Sequence, residues 1–138
     1  MTDAHFTFSK SERLCSRKEI DALYLSDKGF HVFPYSVRWI AVQDCAPDKP
    51  LAQVLITTSK RKFRHAVDRN RVKRLSRECY RLHKPQLYAM LQQHNLHVAV
   101  SFNYIHTQIL PYDALYSKFD KILVRLEKSI EESLSQQS

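Results

Sequence analysis

Basic side chains are concentrated in one segment of the chain, residues 59–84. This segment holds eleven Lys or Arg residues against two acidic ones, whereas the whole chain has a net charge of +8. The rest of the chain is therefore close to neutral. A dense basic block in an otherwise balanced protein is typical of chains that neutralise phosphates, because each contact releases counterions condensed on a nucleic acid. The segment predicts nucleic-acid binding.

The order of residues within this segment indicates a helix with two different faces. At about 100° per residue, an apolar row and a basic row fall on opposite sides. The apolar row is Val72, Leu75, Cys79 and Leu82, and the basic side carries Asn70, Arg74, Arg77 and Arg81, with Lys73 beside them. Such a helix can bury one face and present guanidinium groups to phosphates or base edges. An ordinary solvated face is the alternative, although such faces usually mix charges of both signs.

Residue groupings typical of a nuclease active site are missing. Two-metal hydrolysis of RNA needs carboxylates that converge within a few ångströms. Asp44 and Asp48 lie on a predicted turn, and Asp68 and Glu78 lie within the basic helix. Metal-free cleavage would need a pair of histidines, or His with Glu and Lys, and the seven histidines are scattered. The polypeptide alone is therefore not expected to cleave RNA.

The three cysteines, Cys15, Cys45 and Cys79, are far apart and include no CxxC pair. This spacing matches neither a disulfide framework nor a zinc site. Cys79 and His83 are four residues apart on the predicted helix, but two ligands without a second pair are more often packing and surface residues. We expect reduced thiols and no metal bound by the protein itself.

Length and composition predict one domain over residues 1–138, with flexible ends at 1–12 and 133–138. The 43% of hydrophobic residues can fill one core. No apolar run approaches the roughly 20 residues that span a bilayer, and the first residues lack the order of a signal peptide. We expect a cytoplasmic protein that does not associate with membranes.

Local patterns in the first half of the chain predict one helix and two strands. Ser16 and Glu19 match a capping box that begins a short helix over about 17–27, with Gly29 as a plausible stop. Segments 35–42 and 51–58 are rich in β-branched and aromatic residues, and a turn containing Pro and Asp separates them. These two strands are expected to pair antiparallel.

The second half of the chain predicts a helical crossover and a further strand. The basic helix is expected over about 67–83, where Pro85 stops it, followed by a short helical segment at 86–94. In residues 97–104, larger apolar residues alternate with smaller or polar ones, which predicts a strand with one better-buried face. Because a helical crossover precedes this strand, it is expected to lie parallel beside 51–58 in a βαβ unit.

A last helix is predicted from near Pro111. It carries an apolar stripe on one side and mixed charges on the other, which favours packing on the sheet. The stripe consists of Leu115, Phe119, Ile122, Leu123, Leu126 and Ile130. The whole pattern predicts a single α+β domain.

The segment SKRKFRHAVDRNRVKRLSRE resembles the signature region of the protein subunit of bacterial ribonuclease P. In that family a strand and a Ser-Lys-Lys or Ser-Lys-Arg turn lead into an Ala-Val-x-Arg-Asn-Arg-x-Lys-Arg helix. The matching residues are Ser59, Lys60, Arg61, Ala66, Val67, Arg69, Asn70, Arg71, Lys73 and Arg74. Before Ala-Val the family usually has an Ile-Gly or similar pair, whereas this chain has Phe63-Arg64-His65. The resemblance extends more weakly over the rest of the chain.

This resemblance implies an accessory role in an RNA enzyme. Members of the family bind a catalytic RNA and help it to remove the 5′ leader from precursor tRNA, and the RNA supplies the active site and its Mg²⁺ ions. The implied partners are therefore the catalytic RNA and precursor tRNA, with no obligate protein partner. The implied fold is a roughly four-stranded mixed sheet packed with three main helices, of the type found in a ribosomal-protein domain, with the Arg-Asn-Arg helix inside the βαβ unit.

The family resemblance also implies two binding surfaces and no catalytic residue in the protein. The expected contacts with the catalytic RNA are Lys60, Arg61, Arg69, Asn70, Arg71, Lys73, Arg74, Arg77 and Arg81. A cleft between the first helix and the sheet is expected to hold the single-stranded leader. The candidates for this cleft are Arg13, Ile20, Tyr24, Tyr35, Val37, Arg38 and Trp39.

The sequence leaves two alternatives open. Aromatic faces with flanking cations bind single strands by stacking, which would suit leaders of varied sequence. Tyr24, Tyr35 and Trp39 are equally compatible with a place in the core, because a sheet of this size must bury large side chains. The second alternative is functional: a ribosomal-protein-like or chaperone-type binder of structured RNA, without a role in cleavage, would carry the same basic helix.

Overall fold

Four strands form the centre of the computed structural model, which describes residues 10–42 and 49–137. They are β1 (Gly29–Val32), β2 (Tyr35–Val42), β3 (Ala52–Thr58) and β4 (His97–Tyr104). Their order in the sheet is β1-β2-β4-β3. The pairs β1/β2 and β2/β4 are antiparallel, and β3/β4 is parallel. The mixed sheet and the parallel βαβ unit predicted from the sequence are confirmed.

Three α-helices accompany these strands in the described part of the chain. They are α1 (Arg17–Leu25), α2 (Ala66–Gln93) and α3 (Tyr112–Gln137), and a 3-10 turn (Lys10–Glu12) precedes them. The Ser16 side chain accepts a hydrogen bond of 3.4 Å from the main-chain N–H of Glu19, so the predicted cap of α1 is confirmed. No helix in the described residues is long and apolar enough to cross a membrane.

The two faces of the sheet have different partners. We call the face that packs against α2 and α3 the closed face. Alternate residues of β4, and of β2 as far as Trp39, are buried in it: Tyr35, Val37, Trp39, Val98, Val100, Phe102 and Tyr104. All six residues of the predicted stripe on α3 are buried against the same core. We call the other face, which carries α1, the open face.

The helix α1 covers part of the open face. Leu23 is buried there with Leu14 and Ala99, and Ile20 and Leu55 pack beside them. The remaining part of the open face carries polar residues of three strands. Because α1 has nine residues, it is too short to cover the whole face.

The predicted pairing of β2 with β3 is wrong, and one strand was missed. β2 and β3 do not pair with each other, because β4 lies between them and pairs with both. The hairpin partner of β2 is β1, a four-residue strand that begins at the proposed helix stop, Gly29. A Cβ at Gly29 would lie 2.8 Å from the carbonyl oxygen of Val37, so this close approach of two main chains favours glycine. The turn predicted between the strands lies mostly at 43–48, outside the described residues.

Helix ends also differ from the prediction. Pro85 does not stop α2, which continues to Gln93 as one helix. A proline inside a helix costs roughly 3 kcal/mol, but side chains on both sides of Pro85, including Tyr80 and Leu87, are fully buried, and their packing outweighs this cost. At the other end of the chain, α3 includes residues 133–137, which were expected to be flexible. Residues 1–9 lie outside the described part.

A buried ion pair attaches the 3-10 turn to α2. The Lys84 ammonium lies 2.5 Å from a carboxylate oxygen of Glu12, and both side chains are almost completely buried. The Tyr88 hydroxyl donates to the same oxygen at 2.6 Å. This network fixes the start of the described chain, and Arg13 directly after it, against α2 and β3.

Candidate nucleic-acid interface

The first half of α2 presents a continuous cationic surface. Asn70, Arg71 and Arg74 are exposed, and Lys73 and Arg77 are half-buried beside them. The opposite side of the helix buries Val72, Ser76 and Cys79 in the core, and the Tyr35 hydroxyl lies 2.5 Å from Ser76 Oγ. The sheet therefore holds α2 firmly on one side while the predicted basic row faces outward. Leu75 and Leu82, the other members of the predicted apolar row, are half-buried.

Two of the predicted RNA-contacting arginines have partners within the protein. One guanidinium nitrogen of Arg69 donates to the carbonyl oxygens of Phe63 and Arg64, at 2.7 and 3.1 Å. Arg69 therefore holds the loop that enters α2. Arg81 forms a close ion pair with Glu78, at 2.5 Å, and this hydrogen bond lowers the pKa of the Glu78 carboxyl group. Both side chains are half-buried.

The loop before α2 places the remaining predicted cations. The main-chain N–H groups of Lys62 and Phe63 donate to the Ser59 carbonyl oxygen, and the N–H of Arg61 donates to the Ser59 hydroxyl. Lys60 and Arg61 are exposed on this turn. The Phe63 side chain is buried against Tyr104. The loop is therefore anchored by one aromatic residue and displays its basic residues to solvent.

A groove of about 200 Å³ links α2 to the segment before α1. Arg13, Lys73 and Arg77 line it above an apolar floor that includes Leu14 and Val54. Burial and the nearby charge of Arg13 lower the pKa of the Arg77 guanidinium. An anion in this groove would be attracted by all three cations. Arg13, predicted as a residue of the leader cleft, thus lies beside residues predicted to bind the catalytic RNA.

The uncovered part of the open face forms a small polar hollow of about 130 Å³. Tyr24 at the end of α1, with 59% of its surface exposed, stands beside it. Arg38 lies next to Tyr24 and donates a hydrogen bond of 2.9 Å to its carbonyl oxygen. The hollow is lined by Tyr24, Ser36, Arg38, Thr57, Ser101 and Asn103. We call these six residues the open-face patch.

Three of the residues predicted for the leader cleft lie on the other face of β2. Tyr35, Val37 and Trp39 belong to the closed face and are at most 1% exposed, so they cannot line a cleft beside α1. The Trp39 indole N–H donates to Ser129 Oγ on α3, at 2.9 Å. Ile20 is on the correct side, but it packs into the contact between α1 and the sheet. Of the predicted cleft residues, Tyr24 and Arg38 come together at the open-face patch.

Four polar residues of the patch were missed in the sequence. Ser36, Asn103 and Thr57 form one row across three strands, and the Thr57 hydroxyl donates to the Asn103 side-chain oxygen at 3.0 Å. Ser101 lies in the next row, beside Arg38. The alternation of residues 97–104 did place Ser101 and Asn103 on the less apolar face. The missing information was that this face remains partly open.

Residues able to hold a metal ion do not cluster in 10–42 and 49–137: no group of three or more His, Cys, Asp or Glu side chains comes together there. Asp44, Asp48 and Cys45 lie outside the described residues. Cys15 is exposed and Cys79 is buried, both as free thiols. The geometry of the described residues therefore suits binding of a polyanion, with cations on α2 and a hydrogen-bonding, aromatic-edged patch on the sheet.

Comparisons with known proteins agree with this geometry. The model of the family Ribonuclease P matches residues 8–127. The chain is 33% identical over 130 residues to a ribonuclease P protein component of Porphyromonas gingivalis, a match that covers 94% of this chain and 93% of that protein. It is 35% identical over 104 residues to the ribonuclease P protein component of Chlorobium phaeobacteroides, with 70% of each chain covered.

Two solved structures share the fold. The Staphylococcus aureus RNase P protein superposes with a TM-score of 0.61 at 18% identity, covering 85% of this chain and 96% of that one. A Staphylococcus aureus RNase P protein mutant with defective mRNA degradation activity superposes with a TM-score of 0.53 at 19% identity, covering 93% and 89%. At these identities the structural matches support the arrangement of strands and helices.

Proposed function

This chain belongs to the ribonuclease P protein component family, and on that premise we propose that it binds the catalytic RNA of ribonuclease P and the 5′ leader of precursor tRNA. The family places the chain in tRNA processing, as the protein part of a ribonucleoprotein endoribonuclease. In the proposal the protein assists removal of the leader, which forms the mature 5′ end of the tRNA. The complex works in the cytoplasm.

The cationic surface of α2 is the observation that carries the proposal. Asn70, Arg71 and Arg74 are exposed in sequence positions that match the family's Arg-Asn-Arg-x-Lys-Arg motif. Arginine guanidinium groups bind phosphates in a bidentate manner, and a rigid helix presents them at fixed spacing. We assign this surface, together with Lys60 and Arg61 on the preceding turn, to the catalytic RNA.

The open-face patch is assigned to the leader. Single-stranded RNA is bound without strict sequence preference by aromatic faces on which bases stack and by cations that follow the backbone. Tyr24 supplies an exposed ring, Arg38 supplies a cation, and Asn103 supplies hydrogen-bonding groups. Arg13 lies in the groove toward α2 and can contact a phosphate between the two surfaces.

The chemistry of cleavage is assigned to the RNA and its Mg²⁺ ions. Among the described residues, Asp68 lies in the first turn of α2 and Glu78 pairs with Arg81, so neither converges with other carboxylates on a scissile phosphate. The protein contributes by holding the leader and by neutralising phosphates where the two RNAs meet. This contribution should matter most when Mg²⁺ is scarce, because cations of the protein then replace the missing ions.

Cleavage of precursor tRNA by the cognate catalytic RNA, with and without this protein at low Mg²⁺, tests the proposal. We expect a strong dependence on the protein at low Mg²⁺ and a weaker one at high Mg²⁺. A protein that binds the catalytic RNA but leaves the cleavage rate unchanged at every Mg²⁺ concentration would instead be a structured-RNA binder without a role in cleavage.

A further inference from the structure

A pair of rings, one exposed and one half-buried, lies at one end of the sheet, outside the α2 surface and the open-face patch. Val32 pairs with Tyr35, so Phe33 and Pro34 form the turn between β1 and β2. The Phe33 side chain is 53% exposed. Its ring centroid lies 4.8 Å from that of His106, which follows β4. A phenylalanine on a turn buries little apolar surface there, so the core does not explain its presence.

Hydrogen bonds join the main chain next to the two rings. The main-chain N–H of Ile105, directly before His106, donates to the carbonyl oxygen of Pro34 at 2.8 Å. The Lys62 ammonium donates to the Ile105 carbonyl oxygen. The turn, the end of β4 and the basic loop before α2 are therefore tied together. Binding a flat ligand against these rings would need little reordering of the main chain.

A basic groove of about 520 Å³ lies directly beside this point. One wall is the loop before α2, with Arg61, Lys62 and Arg64, and the other wall is 107–109, which follows His106. Asp68 is the one acidic residue in its lining. The groove therefore attracts a negatively charged chain, and the neighbouring rings suit an unpaired base of that chain.

The position of the rings relates them to the open-face patch. Ser36 lies three residues after Phe33, and Asn103 lies three residues before His106, and these two form a pair across β2 and β4. A chain rises at most about 3.3–3.6 Å per residue, so the main chain at Phe33 and His106, past the ends of both strands, lies within about 10 Å of this row of the patch. A strand of RNA that crosses the patch in this direction would reach the rings next.

From these observations we propose that the exposed Phe33 ring, supported by His106, forms a second stacking platform for an unpaired base of the leader, with Lys62 and Arg64 contacting its phosphates. The inference rests on the proposed function, because it extends the same leader beyond Tyr24. It adds a contact that only leaders long enough to pass the patch can make. Affinity should therefore depend on leader length.

The test uses the full chain assembled with its catalytic RNA and precursor tRNAs whose leaders are lengthened one nucleotide at a time. The wild-type complex should gain affinity in two stages as the leader grows. Phe33→Ala should remove the second gain in affinity, so that precursors with long leaders bind on the order of tenfold more weakly. Binding of precursors with the shortest leaders, and of mature tRNA, should not change. Phe33→Leu, which keeps apolar bulk without an aromatic face, should lose most of the same stage.

Val124→Ala is the matched control, because Val124 is similarly exposed on α3, and its affinities should equal those of the wild type. If Phe33→Ala lowers the affinity equally for every leader length and for mature tRNA, the inference is overturned. Such a result would indicate contact with the catalytic RNA or the tRNA body instead. No loss at any length would also overturn it. If the wild-type complex itself does not distinguish precursor from mature tRNA, the assignment of the leader fails instead.

Discussion

The Arg38 guanidinium donates a hydrogen bond of 2.9 Å to the main-chain carbonyl oxygen of Tyr24. This bond ties β2 to the last turn of α1, where the helix no longer covers the sheet. It holds the exposed Tyr24 ring beside the open-face patch and keeps the Arg38 charge at the same place. The proposed leader site is therefore built on two fixed elements, which favours tight stacking of a base.

Replacing Tyr24 by Ala should weaken binding of precursor tRNA to the assembled complex by about 1–3 kcal/mol, the value of one stacked base. Mature tRNA should bind as before, because it has no leader. Leu25→Ala is the control, since Leu25 is exposed on the same helix but does not line the patch. Equilibrium binding to both tRNAs provides the measurement. Equal weakening for precursor and mature tRNA would argue against a leader contact.

Trp39, the one tryptophan of the chain, should behave as a core residue. In the native protein its fluorescence should be poorly quenched by acrylamide and should not change when a leader binds, because its side chain is 1% exposed. Trp39→Ala should lower the free energy of unfolding by about 3–5 kcal/mol, as for other large core residues. Strong acrylamide quenching of the native protein would contradict the buried position.

Sequence alternation could show that β2 has two faces but not which face carries α1. Tyr35 and Trp39 are as suitable for a stacking surface as for a core, and the decision depends on α2 and α3, which follow much later in the chain. Likewise, β4 separates β2 from β3 although β2 and β3 are neighbours in sequence, because strand order is set by long-range packing. The basic face of α2 could be predicted well, since helical spacing and charge are local properties.

Changes on α2 should separate charge from hydrogen bonding in the contact with the catalytic RNA. Arg74→Ala should weaken binding and reduce the slope of log K against log salt by about one, because one phosphate contact is lost. Asn70→Ala should weaken binding with little change in slope, since an amide releases no counterion. Lys121→Ala on α3 is the control for a general loss of charge. An unchanged slope for Arg74→Ala would exclude a phosphate contact at this residue.

Cys79 should make the protein less stable at high pH. Burial raises the pKa of its thiol from 9.0 to about 12. Between these values the unfolded chain has lost this proton while the folded chain retains it, so the free energy of unfolding should fall as pH rises from about 9 towards 12. Urea unfolding at several pH values measures this dependence. Cys79→Ala should make the free energy of unfolding depend less steeply on pH. Part of the dependence should remain, since burial also raises the pKa of Tyr35 and Tyr80.

The ion pair of Glu12 and Lys84 provides a test of how the N-terminal segment is held. Lys84→Met should lower the free energy of unfolding by about 3–5 kcal/mol, because the buried Glu12 carboxylate loses its countercharge. The double variant Glu12→Gln with Lys84→Met should recover part of this loss, since no buried charge then remains. Urea unfolding of the wild type, both single variants and the double variant gives the coupling energy. Losses that simply add in the double variant would mean that the two side chains contribute independently, contrary to the 2.5 Å contact between them.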